Sequence, residues 1–320
     1  MRTLITTAGK QPATATDEIV ECFEESHQMG FWLDIEAPDD DDYRLLEETF
    51  KFHPLTIEDI KHQNQRPKVD EYQDYNFVVL FQALWENDRV DVREHHLYVG
   101  PTYLITVHQE HSPAIVDVHD RIAASPELTK GLPAFLTYLV VDALVDSTFP
   151  ALEKLDDSVD ELEDDIVVKA DSQLLDRIYH LKHSVVELRR LLGGQRDVFQ
   201  ALITHGIHLL QADMTLYYRD VFDHIVRQYE TVDGLRDLLT SAMDVYLSTV
   251  SNRLNQTTKA LTVIASLFLP LSFLTGFYGM NFAYLTQVLE TPYAAFAFGV
   301  GTMVIATAIQ LWLFRRRGWI

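Results

Sequence analysis

Two stretches near the end of the 320-residue chain differ from the rest in their hydropathy pattern. Residues 260–280 (ALTVIASLFLPLSFLTGFYGM) and 293–314 (YAAFAFGVGTMVIATAIQLWLF) are predominantly apolar and hold no charged side chain. Each is about 20 residues long, the length that a hydrocarbon core of roughly 30 Å requires. They predict two transmembrane helices. Buried core helices are the weaker alternative, because uncharged runs of this length are rare in soluble domains. Arg315, Arg316 and Arg317 follow the second stretch at once, and such a cluster favours the cytoplasmic side. With two spans, the residues before 260 then lie on that side with the basic tail 315–320, and the link 281–292 faces outward. The N-terminal residues MRTLITTAGKQPATATDE lack the apolar run of a secretory signal. The expected location is the cell (inner) membrane, with both termini cytoplasmic.

Before residue 260 the pattern is that of a folded domain. WLDIE (32–36), NFVVLFQAL (76–84), HHLYV (95–99) and TYLITV (102–107) are rich in β-branched and aromatic residues and read as strands. DYRLLEETF (42–50) and HPLTIEDI (53–60) read as short helices, with Pro54 in a first helical turn. Residues 1–115 are thus expected to form an N-terminal α/β domain. From 116 to 212 apolar residues recur at helical spacing, as at Leu152, Leu155, Val159, Leu162 and Ile166. Gly193-Gly194 is expected to break this region into at least two helices.

From 213 to 280 no proline precedes Pro270 and Gly234 is the only glycine before Gly276. One helix is expected to run from near Asp213 into the first span, about 100 Å at 1.5 Å per residue. A helix of that length suits a stalk packed against copies of itself better than the core of a monomer. Pro270 falls inside the span, where it is tolerated if a neighbouring helix or water satisfies the carbonyl it leaves without a donor. The predicted fold class is an α+β cytoplasmic domain followed by a long helical stalk and two transmembrane helices.

Charge sharpens this division. The net charge is −22, yet the segment from Lys259 onward holds four basic residues and one acid, Glu290, so the acidic excess lies wholly before it. An acidic cytoplasmic part repels nucleic acid and suits cations. Cys22 is the only cysteine, which excludes an intrachain disulfide and a CxxC metal site. No GxxxxGK[ST], HExxH or GxSxG occurs, so neither an ATP-driven pump nor these enzyme classes is supported.

The long helix carries the most informative pattern. Asp244, Ser248, Ser251, Asn255, Thr258, Thr262, Ala265, Leu269, Ser272 and Gly276 follow one another in alternating steps of four and three. This 3.5-residue period keeps one seam on a common axis in a left-handed bundle. The seam is mostly polar or small, which fits a water-filled path and equally fits close helix packing in a membrane.

Just beyond it stands Tyr278-Gly279-Met280-Asn281. A GMN sequence at the end of the penultimate span, then a short loop, a last span and the tail FRRRGWI, resembles the CorA family of divalent-cation transporters. HPLTIEDI (53–60), QRPKVDEY (65–72), VDALVD (141–146), LEKLDD (152–157), VYLSTVSNRLN (245–255) and LTVIASLFLPLSFLTGFYGMNF (261–282) also look like segments of that family, in its order.

The resemblance implies a funnel-shaped homopentamer with the long helix lining the pore and the last helix in an outer ring. It implies a selectivity filter at Gly279, Met280 and Asn281. Carboxamide oxygens can accept hydrogen bonds from the water shell of magnesium, an ion that dehydrates reluctantly. It implies pore-lining roles for Asp244, Ser251, Asn255, Thr258, Leu261, Leu269, Ser272 and Gly276, with Leu261 and Leu269 as hydrophobic constrictions. It further implies a regulatory cation held between subunits by Asp59 and Asp220, with Glu58 and Asp142 close by. Mg2+ would be both cargo and regulator, entering down the membrane potential. The outer loop FAYLTQVLETP has a single acid where many members carry an acidic, MPE-like motif, which leaves Co2+, Ni2+ and Zn2+ open as cargo. A proton-coupled zinc transporter of the same superfamily is the alternative. A membrane-anchored sensor or scaffold is the reading from another class, and the polar seam and GMN speak against it. His180 and His183, and likewise His205 and His208, are spaced as HxxH, but with no third ligand in sequence they read as surface or interhelical histidines. His95 and His96, adjacent on a strand, point to opposite faces.

Overall fold

A computed structural model describes residues 1–6, 9–12, 19–21, 23, 30–125, 127–128, 133–168, 171–205, 214–280 and 291–319. Cys22, His208 and Asn281 lie outside the described residues. The chain divides into two compact units, Met1–Met243 and Asp244–Ile320.

The first unit is built on a seven-stranded sheet in the order β2-β1-β3-β7-β6-β5-β4. Its strands are β1 (Arg2–Thr6), β2 (Gly9–Pro12), β3 (Phe31–Glu36), β4 (Lys68–Glu71), β5 (Asn76–Glu86), β6 (Arg89–Val99) and β7 (Tyr103–His108). All neighbours are antiparallel except β3 and β7, which pair in parallel with Asp34 opposite Thr106. The β5–β6 hairpin turns through Asn87 and Asp88, both at positive φ (52° and 59°), the backbone that a two-residue hairpin loop needs.

Helices cover both faces of the sheet. Among the described residues the helices are α1 (Asp40–Arg44, continued by a π-helical turn Leu45–Thr49), α2 (Pro54–His62), α3 (Pro113–Ala124), α4 (Ala134–Asp146), α5 (Phe149–Val168), α6 (Ser172–His205) and α7 (Thr215–Tyr278), whose end lies in the second unit together with α8 (Pro292–Arg316). Alternation along the strands divides the core. Trp32, Val78, Leu80, Leu97 and Leu104 pack with α3, α4, and Phe199, Tyr218, Val221 and Ile225 of α6 and α7. Phe31, Leu33, Phe77, Val79, Tyr98 and Ile105 pack with Leu45, Leu46, Phe52, Ile57 and Ile60 on the other face. There Phe52 stacks on Tyr98 with centroids 3.8 Å apart.

Two features differ from the sequence reading. Gly193-Gly194 does not break a helix: α6 runs unbroken from Ser172 to His205. The glycines are instead places of close approach. A Cβ on Gly194 would stand 3.0 Å from Pro67 Cγ, and one on Gly193 3.4 Å from the Tyr229 ring. The second difference is a third stretch, Ala134–Val167, long and apolar enough to cross a membrane by composition. Its most apolar part is 61 % buried inside the first unit, whereas the most apolar parts of α7 and α8 are 0 % buried. It is therefore part of the core against the sheet, and the membrane-spanning character rests with α7 and α8.

Candidate functional site: a polar seam on the long helix and an acidic cluster

In the second unit the end of α7 and the helix α8 run antiparallel. Three hydrogen bonds tie them: Lys259 Nζ donates to Gly318 O (3.0 Å), Gln310 Nε2 to Ser266 O (2.8 Å), and the Tyr278 and Thr302 hydroxyls meet at 3.3 Å. The face of α7 that meets α8 is half-buried at Val263, Ser266, Leu267, Pro270, Leu274 and Tyr278. Thr262, Ala265 and Leu269 of the polar seam each stand one residue before a member of that face, about 100° around the helix. Every residue of the seam from Asp244 to Gly276 is exposed in the single chain, Leu269 at 72 %. Leu261 is exposed as well, at 63 %. A Cβ added at Gly276 would touch nothing within 4 Å. The seam's next step of three falls on Gly279, whose N–H still bonds to Thr275 O at 3.0 Å, so the helix ends as the GMN sequence begins. Met280 is also exposed (46 %).

A second cluster stands in the first unit. Asp142 and Asp146 lie one turn apart on α4, and Asp220 and His224 one turn apart on α7. His224 Nδ1 is 2.7 Å from Asp146 Oδ1. Ligand atoms of Asp142, Asp146 and His224 all lie within 4.8 Å of one another, the one such group among the described residues. On the next turn the buried Gln228 donates to Val145 O at 2.7 Å and holds the two helices in register. Burial raises the Asp142 pKa, and the charges of Asp146 and Asp220 add to that rise while His224 opposes it. Tyr138 is raised first by its burial and then by Asp142, Asp220 and Asp146. A hard divalent cation suits carboxylates held together in this way.

The chain brings Asp142 and Asp220 into one field, together with Asp146 and His224, which the sequence reading missed. Their signal was present as two i, i+4 pairs, in VDALVD and in DVFDH, but the 78 positions separating His224 from Asp146 hid the pairing. Asp59 and Glu58 stand elsewhere. They belong to α2, on the opposite face of the sheet from α4 and α7. Asp59 accepts from Lys68 Nζ (2.8 Å), which also pairs with Asp70, and the exposed Glu58 lies 3.7 Å from His62. His183 is 83 % exposed beside Glu187. His95 packs on His108 and His96 on Phe77, on opposite faces of β6.

The description "CorA-like Mg2+ transporter protein" is that of a family model that matches residues 28–316. The chain belongs to this CorA-like family. The cobalt/magnesium transport protein CorA of Thermotoga maritima is 33 % identical over 276 residues, covering 85 % of this chain and 78 % of that protein. A Bacillus subtilis protein named as a metal ion transporter, YfjQ, is 32 % identical over 300 residues, 94 % of this chain and 93 % of its own. Among solved structures, the complete CorA magnesium transporter of Methanocaldococcus jannaschii superposes with a TM-score of 0.81 at 26 % identity, covering 91 % of this chain and 92 % of that one. The CorA-like match thus takes in the seam and the acidic cluster alike.

Proposed function

We propose that this protein carries divalent metal cations across the membrane as a CorA-type homopentamer, with magnesium as the first cargo and cobalt or nickel as others. The observation that carries this reading is the seam. It is polar or small through most of its length, repeats at the period of a left-handed bundle, and is left uncovered while α8 packs on the neighbouring face. Five copies of such a seam around one axis form a path lined by Asp244, Ser251, Asn255, Thr258, Ser272 and Gly276, narrowed by Leu261 and Leu269. Gly279, Met280 and Asn281 close it at the outer end as the filter. The driving force is the membrane potential, about 4.6 kcal/mol per divalent ion per 100 mV. Both termini lie in the cytoplasm.

The acidic cluster supplies the regulation. Asp142 and Asp220, with Asp146 and His224, present one half of a cation site, and Asp59 and Glu58 of the adjacent copy complete it. Carboxylates brought together repel one another unless a divalent ion stands between them. High internal magnesium therefore holds the ring closed and falling magnesium releases it. Flux of Mg2+, Co2+, Ni2+ and Zn2+ into liposomes holding the purified protein, with and without a pH gradient, tests this. Uptake driven by an inside-negative potential supports it; zinc uptake that needs the pH gradient favours the proton-coupled zinc transporter instead, and absence of metal flux leaves only a tethering role for the spans.

A further inference from the structure

Proline at position 270 withholds the N–H that would donate to the carbonyl four residues earlier, and its ring crowds that carbonyl. The carbonyl is that of Ser266. It is the group to which Gln310 Nε2 donates at 2.8 Å from the neighbouring helix. Gln310 carries the only carboxamide of α8. The hydroxyls of Thr302 and Thr307 on the same helix bond back to their own backbone, at Phe298 O and Met303 O. An amide in an apolar span is costly, and Gln310 Oε1 is buried with no hydrogen-bond partner among the described residues. Its place is therefore explained by what its nitrogen reaches. We propose that Gln310 is a positioning residue. It supplies from the outer helix the donor that Pro270 removes from the pore helix, and so couples the two helices at the one point where the pore helix lacks its own hydrogen bond.

The coupling has a consequence that an ordinary interhelical contact lacks: it exists only because residue 270 is a proline. A double-mutant cycle on the full-length protein isolates it. Gln310→Leu keeps the volume and suits the membrane. Pro270→Ala returns an N–H to residue 270 and lets the helix satisfy Ser266 O by itself. The cycle is read on thermal unfolding in detergent, which does not depend on transport, and on the internal magnesium that half-inhibits flux, which rests on the transport reading above.

In the wild-type background Gln310→Leu should lower the unfolding temperature and shift half-inhibition about threefold or more, the range of interhelical hydrogen bonds in membranes. In the Pro270→Ala background the same substitution should carry no penalty in either readout. Pro270→Leu also restores the N–H and serves if the alanine variant does not assemble. Equal penalties in both backgrounds, or none in the wild type, overturn the assignment. Absence of flux from the wild type would count against the transport reading, while the unfolding cycle would still decide the role of Gln310.

Discussion

His224 and Asp146, 78 positions apart in the sequence, meet at 2.7 Å where α7 crosses the end of α4. The contact fixes one carboxylate of the acidic cluster within reach of Asp142. His224→Ala should therefore loosen the cluster without removing a carboxylate. Protection of the full-length protein from protease by magnesium should require on the order of tenfold more ion, the usual cost of losing a group that orients a ligand. Asp146→Asn should do the same, whereas His183→Ala, at an exposed position of α6, should leave the titration unchanged. A titration unaltered by His224→Ala would remove the histidine from the site.

A buried histidine in the sheet gives a pH dependence whose sign follows from its partners. His108 Nε2 stands 3.2 Å from Asp34 Oδ1 and its Nδ1 2.6 Å from Glu110 O. Burial opposes the charged ring, but the hydrogen bond and charge of Asp34, with the Glu110 carbonyl, outweigh it and raise the pKa above its usual 6.5. A raised folded pKa contributes stability that is full below the unfolded value and lost as pH rises through the folded one. Thermal unfolding of the wild type should thus lose this contribution from about pH 6.5 upward. His108→Gln should flatten that part of the profile; an unchanged slope would show that the pair does not set it.

Gly194→Leu tests the corrected reading of the glycine pair. The side chain would enter the space held by Pro67, 3.0 Å from the Cβ position. A loss of about 1–3 kcal/mol is expected from overpacking, measured by denaturant or thermal unfolding. Gain of stability, as for an exposed helical glycine, would show that the approach of Pro67 is not constraining.

These residues also show what the sequence disclosed. The long helix was legible because proline and glycine are nearly absent from it before the span, and the two spans because they hold no charge; both signals are local. The 3.5-residue repeat of the seam is local as well, since it is read along a single helix. The strands β1, β2 and β4 were not, since they are four or five residues long and GKQP and KVDE carry no apolar alternation. Gly193-Gly194 was misread because its reason lies in Pro67, just before β4, and Tyr229 on α7, both far away in the sequence. The burial of Ala134–Val167 depends on the sheet beneath it, and Asp146 with His224 on the packing of α4 against α7.

The filter has its own test. If Asn281 presents carboxamide oxygens to a hydrated ion, Asn281→Ala should abolish or greatly reduce flux while the oligomer still assembles by size-exclusion chromatography. Asn281→Asp should alter ion preference, because a ring of carboxylates binds divalent ions more tightly and slows their release. Wild-type flux from Asn281→Ala would mean that the asparagine only ends the helix.

Passage of ions along the seam leaves a chemical signature. It is tested most directly by magnesium flux into proteoliposomes of a Cys22→Ser protein carrying either Ser272→Cys, on the seam, or Leu274→Cys, on the face that meets α8. A small water-soluble thiol reagent should stop flux through Ser272→Cys and leave Leu274→Cys unaffected. Block at Leu274→Cys with Ser272→Cys untouched would contradict the account.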